Sequence, residues 1–343
     1  MKKLLNTLFV TTPDTYLSLD GENIVIRQEE NILGRYPLHN LEAVCTFGYA
    51  GVSPALMGSC AERSIGLTFM TRNGRFLARV TGESRGNVVL RKEQYRISDD
   101  ERRSALVARN FILGKIYNAK WILERATRDY ALRLDIPRIK KVSAALSESM
   151  NLVHSVEDLD ILRGVEGSAA VQYNSVFDDL ILQQKDDFFF RGRNKRPPLD
   201  NINALLSFAY TLLSNDVRSA LESVGLDAYV GFLHRDRPGR ASLALDMMEE
   251  LRGVYADRFV LSLINKKLIN TKGFYRKENG AVLMDDDTRK QVIKGWQERK
   301  QEKIIHPYLN EKISWGLVPY SQALLLARYI RGDLDEYPPF LWK

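Results

Sequence analysis

The hydrophobic pattern changes its period once along this chain of 343 residues, and that change limits the fold more than any other feature. Up to about residue 83, short apolar runs with two-residue alternation are separated by turn signals such as Asn73-Gly74. From about residue 99 the apolar residues recur at helical spacing, most clearly over residues 105–129. Strands and helices therefore occupy different parts of the chain, which predicts an α+β protein of more than one domain.

This pattern divides the chain into three predicted segments. They are a small, mostly β N-terminal domain over residues 1–83, a linker over 84–98, and a larger all-α domain over 99–343. The net charge is +7, but residues 1–90 carry nine Lys or Arg against eight Asp or Glu, which leaves +6 for the remainder. A polyanionic partner would therefore bind the helical domain, and we expect the β domain to make protein contacts instead.

One stretch, residues 231–252, combines a lone histidine, a Pro-Gly turn and an apolar helix that carries acidic residues. Apolar residues surround Asp246 on this helix, so we predict that it is buried. An unpaired buried carboxylate is costly, and a divalent metal ion is the simplest way to offset its charge. Glu249 shares a helix face with Asp246, and Glu250 is eligible by its spacing as well. A core helix with a satisfied aspartate and a polar histidine is the alternative interpretation.

A second stretch places Glu166 among small residues of a predicted helix over 162–173. Gly164 and Gly167 flank this glutamate, and each costs roughly 1 kcal/mol in helix propensity. Glycine has no side chain, so it is expected at these positions if another backbone or a ligand must come close to the helix. A tight helix crossing with Glu166 on the outer side is the alternative.

Three motifs in order resemble those of one family, the CRISPR-associated integrases of spacer acquisition, or Cas1 family. Glu166 lies in R-G-x-E-G-x-x-A, and residues 196–210 read R-P-P-x-D-x-x-N-A-L-L-S-F-x-Y. His234 then lies twelve residues before the aspartate of S-L-x-L-D-x-x-E-E. The motifs cover residues 162–252, and the rest of the chain is similar in length and layout. The ending over 338–342, Pro-Pro-Phe-Leu-Trp, resembles that of the type I-C subgroup.

The resemblance implies a metal-dependent DNA integrase and endonuclease of CRISPR adaptation. Such an enzyme inserts spacer DNA into the repeat array by attack of a 3′-hydroxyl on a phosphodiester. The matching positions are Glu166, His234 and Glu249 as metal ligands and Asp246 as a further catalytic carboxylate. Oxygen ligands with one imidazole suit Mg²⁺ or Mn²⁺ better than zinc. The resemblance also implies double-stranded DNA as substrate, a homodimer formed through the β domain, and the small Cas2 protein as a partner.

Other polar residues are secondary candidates. Asn203 and Tyr210 lie about two turns apart on one helix face and could support the site. The loop over 183–199 joins two of the motif helices and is both basic and aromatic, so we predict that it contacts DNA near the reacting end. Its candidate phosphate-binding residues are Arg191, Arg193 and Arg196. Simple helix packing and solvated charges are the alternatives for these two features.

Composition excludes some classes of protein. Two cysteines, Cys45 and Cys60, support neither a disulfide framework nor a zinc site. No apolar run approaches the ~20 residues that cross a bilayer, so we expect a cytoplasmic protein without membrane contact. Two other functions stay open: a DNA-binding scaffold with a degenerate site, and a metal-dependent phosphoesterase of another pathway.

Overall fold

The computed structural model describes residues 6–72, 76–80, 82 and 88–343. The chain forms two compact units, one comprising residues 1–85 with 289–302 and the other residues 86–288 with 303–343. The turn signal Asn73-Gly74 and most of the predicted boundary near residue 83 lie outside the described residues.

The first unit contains the strands of the N-terminal part. They are β1 (Asn6–Val10), β2 (Thr15–Asp20), β3 (Asn23–Gln28), β4 (Asn31–Pro37), β5 (Leu41–Phe47), β6 (Ala50–Val52), β7 (Gly66–Met70) and β8 (Phe76–Val80). Within the described ranges they form two sheets, in the orders β1-β5-β7-β8 and β4-β3-β2-β6. Strands β1, β5 and β7 pair in parallel, whereas β2, β3 and β4 pair antiparallel.

Two helices complete the first unit. Helix α1 (Pro54–Glu62) begins where the Ser53 side chain accepts a hydrogen bond from the Leu56 backbone N–H at 3.2 Å. Most of α9 (Asp286–Gln301) belongs to this unit, although we predicted it in the helical domain. Gln297 donates to the carbonyl of Thr7 at 2.6 Å, and Lys300 Nζ bonds the Thr7 hydroxyl at 3.1 Å. A helical pattern does not reveal which core its apolar face joins.

Helices dominate the second unit, as predicted. They are α2 (Val88–Asp99), α3 (Glu101–Asp129), α4 (Ile136–Ser155), α5 (Leu159–Ser175), α6 (Asn201–Ser223), α7 (Ser242–Leu251), α8 (Arg258–Asn265) and α10 (Val318–Ile330). A π-helical turn, Arg252–Asp257, joins α7 to α8. Two short antiparallel ribbons accompany the helices: β9 (Phe274–Arg276) with β10 (Val282–Met284), and β11 (Lys303–Ile305) with β12 (Lys312–Ser314). The predicted α+β class is confirmed.

The interval predicted as a linker, 84–98, contains a helix instead. Leu90, Gln94 and Ile97 are buried along one face of α2. The Gln94 side chain donates to the carbonyls of Asp227 and Val230 at 2.8 and 2.9 Å, which docks α2 within the second unit. None of the described helices is long and apolar enough to cross a membrane.

Candidate active site

Three segments of the second unit meet at a cleft of about 580 Å³. Helix α5 contributes Glu166, the loop before α7 contributes His234, and α7 contributes Glu249. The three residues predicted as metal ligands thus line one cleft, although they are far apart in the sequence. Arg235 and Arg240 also line it, which gives the cleft a basic rim.

Lys115 of α3 links the two glutamates. Its Nζ contacts Glu166 Oε1 and lies 2.7 Å from Glu249 Oε2. This contact follows from the fold, because α3 packs against both α5 and α7. In the described part of the chain, no group of three or more His, Cys, Asp or Glu side chains is close enough to hold a metal ion. The ammonium is therefore the positive charge around which the two carboxylates are arranged in this structure.

Glu249 is buried and stays ionised. Its Oε1 lies 2.7 Å from a guanidinium nitrogen of Arg252, one turn further along the chain. Burial raises the pKa of Glu249, but Arg252 and Lys115 outweigh it and hold that pKa at about 2. Oε2 receives no hydrogen bond of good geometry from the described residues, although the Lys115 ammonium is near. This oxygen is suited to bind a cation.

Asp246 is buried as predicted, but protein groups satisfy its charge. Oδ2 accepts the backbone N–H groups of Phe232 at 2.6 Å and Leu233 at 2.9 Å. Oδ1 accepts the backbone N–H of His234 at 3.0 Å and lies 2.5 Å from His234 Nδ1. The interpretation that a metal ion offsets this charge is therefore corrected. Asp246 holds His234 so that Nδ1 carries the proton and Nε2 is left for a ligand.

Two further residues fix the histidine loop, and neither was singled out from the sequence. A Cβ on Gly231 would lie 2.8 Å from Asp246 Oδ2 and 2.8 Å from Ser242 Cβ, so only glycine lets the loop approach α7 this closely. Arg163 donates from Nε and Nη2 to the carbonyl of Leu233 at 3.0 and 2.8 Å. The arginine of the R-G-x-E-G motif thereby ties α5 to the loop that carries His234.

The glycines beside Glu166 meet no protein backbone. At both Gly164 and Gly167, an added Cβ would find no atom of the described residues within 4 Å. The alternative of a tight helix crossing is therefore excluded at these positions. Of the two reasons considered for the glycines, the approach of a ligand is the one still compatible with the structure.

Glu250 points away from the cleft, although its spacing made it eligible. It accepts hydrogen bonds from the Tyr337 hydroxyl, from Gln322 Nε2 at 3.0 Å and from the Phe340 backbone N–H at 2.8 Å. Burial raises the pKa of Glu250 to about 7, and these hydrogen bonds limit the rise. The residue anchors the C-terminal segment to the back of α7 and has no place in the metal site.

Asn203 and Tyr210 lie behind the cleft and do not line it. The Asn203 amide donates to the carbonyl of Gly192 at 2.9 Å and accepts from Arg193 at 2.7 Å. The Tyr210 hydroxyl donates to Asp257 Oδ1 at 2.5 Å, and the Arg252 guanidinium lies 4.9 Å from the centre of its ring. Asn203 thus holds the loop over 183–199, and Tyr210 contacts Arg252; their supporting role in the site stays a prediction.

Two aromatic residues dock the loop over 183–199 within the second unit. Phe188 and Phe190 are buried, and their ring centres lie 5.6 Å from Phe274 and 4.7 Å from Phe177, respectively. Arg191 and Arg196 are exposed and available to a phosphate.

Arg193 differs from its two neighbours and from our prediction for it. Its guanidinium is half-buried and bonds Asn203 Oδ1 at 2.7 Å and the Ser207 hydroxyl at 3.0 Å. Those bonds hold the loop, so less of this guanidinium is available to DNA than at Arg191 and Arg196. Spacing alone could not separate it from the exposed arginines.

Known proteins similar to this chain are CRISPR-associated. A family model described as CRISPR associated protein Cas1 matches residues 8–298. The CRISPR-associated endonuclease Cas1 1 of Chlorobaculum tepidum is 50% identical over 343 residues, with 100% of each chain covered. The CRISPR-associated endonuclease Cas1 2 of Rhodospirillum rubrum is 51% identical over 347 residues, also with 100% of each covered.

Solved structures are similar in fold. A casposase bound to integration product gives a TM-score of 0.83 at 21% identity, covering 98% of this chain and 94% of that chain. A Cas1 protein from Thermotoga maritima gives 0.80 at 21% identity, covering 95% and 97%. A chain of a Cas6-RT-Cas1–Cas2 complex gives 0.82 at 22% identity, covering 100% of this chain and 36% of that chain.

Substituting Asp246→Asn tests the role of this carboxylate. An amide nitrogen replaces one accepting oxygen, so a loop N–H loses its acceptor and His234 loses the carboxylate that orients it. We expect stability to fall by about 3 kcal/mol and Mn²⁺ affinity to fall roughly 10–100-fold, measured by thermal unfolding and calorimetric titration. Asp335→Asn, at an exposed position outside the lining of the cleft, is the control and should change neither quantity. Parental stability and affinity in the Asp246 variant would contradict this role.

Proposed function

The chain belongs to the CRISPR-associated Cas1 family, and we propose on that premise how its cleft performs the integrase and endonuclease reaction. A new DNA fragment supplies a 3′-hydroxyl that attacks a phosphodiester of the repeat, and water in its place gives nuclease activity. The observation that carries the proposal is the meeting of Glu166, His234 and Glu249 in one cleft with a basic rim. No residue of the cleft needs to form a covalent intermediate.

Mg²⁺ or Mn²⁺ is the cofactor that suits these residues. Two carboxylates and an imidazole form a donor set for a hard divalent ion. The oxygen Glu249 Oε2 is buried without a good hydrogen bond, and the Glu166 and Glu249 side chains both turn toward a cation, the Lys115 ammonium. When bound, the ion would polarise the scissile phosphate and offset charge on the attacking and leaving oxygens.

The remaining groups hold the reactants and the ligands in place. Asp246 and Arg163 fix the loop that presents His234. The imidazole therefore loses little conformational freedom when it binds the metal ion. Arg235 and Arg240 at the rim suit the phosphate backbone of DNA. A DNA-binding scaffold with a degenerate site is disfavoured, because none of the four residues expected from the family motifs is replaced. They are Glu166, His234, Asp246 and Glu249, and all but Asp246 line the cleft. The family match likewise disfavours a metal-dependent phosphoesterase of another pathway.

The proposed partners follow from the family and from the charge distribution. We propose double-stranded DNA as the substrate and Cas2 as the protein partner, as named in the complex described above. The N-terminal segment over residues 1–83 is the proposed site of homodimerisation, since its sequence is nearly neutral. The cytoplasmic location and the type I-C subgroup stay predictions.

Loss of either a carboxylate or the imidazole tests the proposed reaction. We expect Glu166→Ala and His234→Ala each to reduce Mn²⁺-dependent strand transfer on branched DNA by more than about 100-fold, because each removes a metal ligand. The assay is single-turnover transfer of a labelled strand, with circular dichroism to verify the fold. Glu148→Ala, at an exposed position of α4 outside the cleft, is the matched control. Full activity in either alanine variant would refute the assignment.

The arginines of the loop over 183–199 should separate into two classes. We expect the double substitution Arg191→Ala and Arg196→Ala to weaken DNA binding and lower the slope of log affinity against log salt by up to about 2. Arg193→Ala should instead lower stability by about 1–3 kcal/mol, because Asn203 and Ser207 lose their partner. Fluorescence anisotropy at several salt concentrations and thermal unfolding measure the two effects. A double variant with parental affinity and slope would show that the exposed arginines are only solvated.

A further inference from the structure

The ion pair between Lys115 and the two glutamates is shielded from water. The side chains of Lys115 and Glu249 are only 15% and 6% exposed, and that of Glu166 is 26% exposed. Attraction between charges is stronger in such a place than at the surface, because less water screens it. The contact therefore keeps the two carboxylates together, although they belong to different helices.

The charges of this group are balanced. Lys115 faces Glu166 Oε1 and Glu249 Oε2, and Arg252 takes Glu249 Oε1. Two cations thus match two carboxylates. A divalent ion that joined this group without displacing either cation would leave these four side chains and the ion with a net charge of +2, or +1 with the Asp246 carboxylate behind His234, in a partly desolvated site. Such an excess of positive charge is unfavourable. One of the two cations must therefore give up its contact when a metal ion binds.

Lys115 is the cation that can leave. The Arg252 guanidinium is held from behind, since it stacks over the Tyr210 ring at 4.9 Å, and it contacts the glutamate oxygen that does not face Lys115. A lysine has a flexible four-carbon stem and a compact charge that can swing without moving its helix. Lys115 also contacts the two oxygens, one from each glutamate, that face each other across the pair.

We propose that Lys115 is a positioning residue that holds Glu166 and Glu249 together before the metal ion binds and competes with that ion for them. This inference rests on the proposed function, which supplies the metal ion. The displaced ammonium has space in a second cavity of about 90 Å³, which Lys115 lines together with Tyr210, Arg252 and Asp257.

A Mn²⁺ titration of the full-length protein tests the competition. Lys115→Met removes the charge but keeps the length of the side chain, so we expect Mn²⁺ to bind about tenfold or more tightly without DNA. Lys115→Arg keeps the competing charge and should bind Mn²⁺ within about threefold of the parent. Lys120→Met on the same helix is the control for net charge. Its ammonium lies 5.7 Å from the centre of the Trp121 ring, and we expect parental affinity.

Thermal unfolding with and without Mn²⁺ distinguishes competition between Lys115 and the metal ion from misfolding of the variant. In chelator, Lys115→Met should unfold at a lower temperature than the parent, because the two carboxylates then repel each other, and Mn²⁺ should raise its midpoint by more. A variant that was only misfolded would show weaker binding in every condition.

Equal or weaker Mn²⁺ binding by Lys115→Met would overturn the inference. Glu166→Ala distinguishes that result from a failure of the proposed function. If the parent binds Mn²⁺ in a manner that Glu166→Ala abolishes, but Lys115→Met binds no more tightly, only the competition is refuted. If neither the parent nor Lys115→Met shows binding that depends on Glu166, the metal site fails and the competition fails with it.

Discussion

The carboxylate of Asp246 is the interaction on which the site depends. A buried carboxylate must be matched by donors, and here three successive backbone N–H groups from residues 232–234 converge on it. Their convergence folds the loop onto α7, and Gly231 permits the close approach. The same carboxylate orients His234 through Nδ1. A residue that resembles a metal ligand in the sequence thus contacts the proposed metal site only through the histidine it holds.

One face of helix α7 lines the cleft, and another face holds the C-terminal segment. Glu249 faces the cleft, while the adjacent Glu250 binds Tyr337 and the backbone of Phe340 in the C-terminal segment. The π-helical turn that follows extends this arrangement. Tyr210 bonds Asp257 at one end of the turn and stacks with Arg252 at the other, and Arg252 holds Glu249. Turns of this kind often occur at functional sites, because they aim side chains that an α-helix would separate.

The sequence predicted those features of the fold and of the site that depend on a local hydrophobic pattern or on a motif. The change of hydrophobic period gave the α+β class, and resemblance pointed to Glu166, His234 and Glu249. Contacts between distant segments could not be predicted this way. Lys115 lies in an ordinary amphipathic helix with no motif around it, and only the packing of α3 brings it to the site. Helix α2 and segment 289–302 were misplaced for the same reason, since helical spacing does not identify the surface that a helix covers.

The central claim is that Glu166, His234 and Glu249 bind one divalent ion while Asp246 holds the histidine from behind. Anomalous diffraction from crystals grown with Mn²⁺ tests it directly, because it locates the ion independently of activity. The account predicts one peak in the cleft, within about 2.0–2.6 Å of an oxygen from each glutamate and of His234 Nε2. Both Asp246 oxygens should stay on the loop N–H groups. An ion bound by Asp246, or one that leaves out Glu166 or Glu249, would contradict the account.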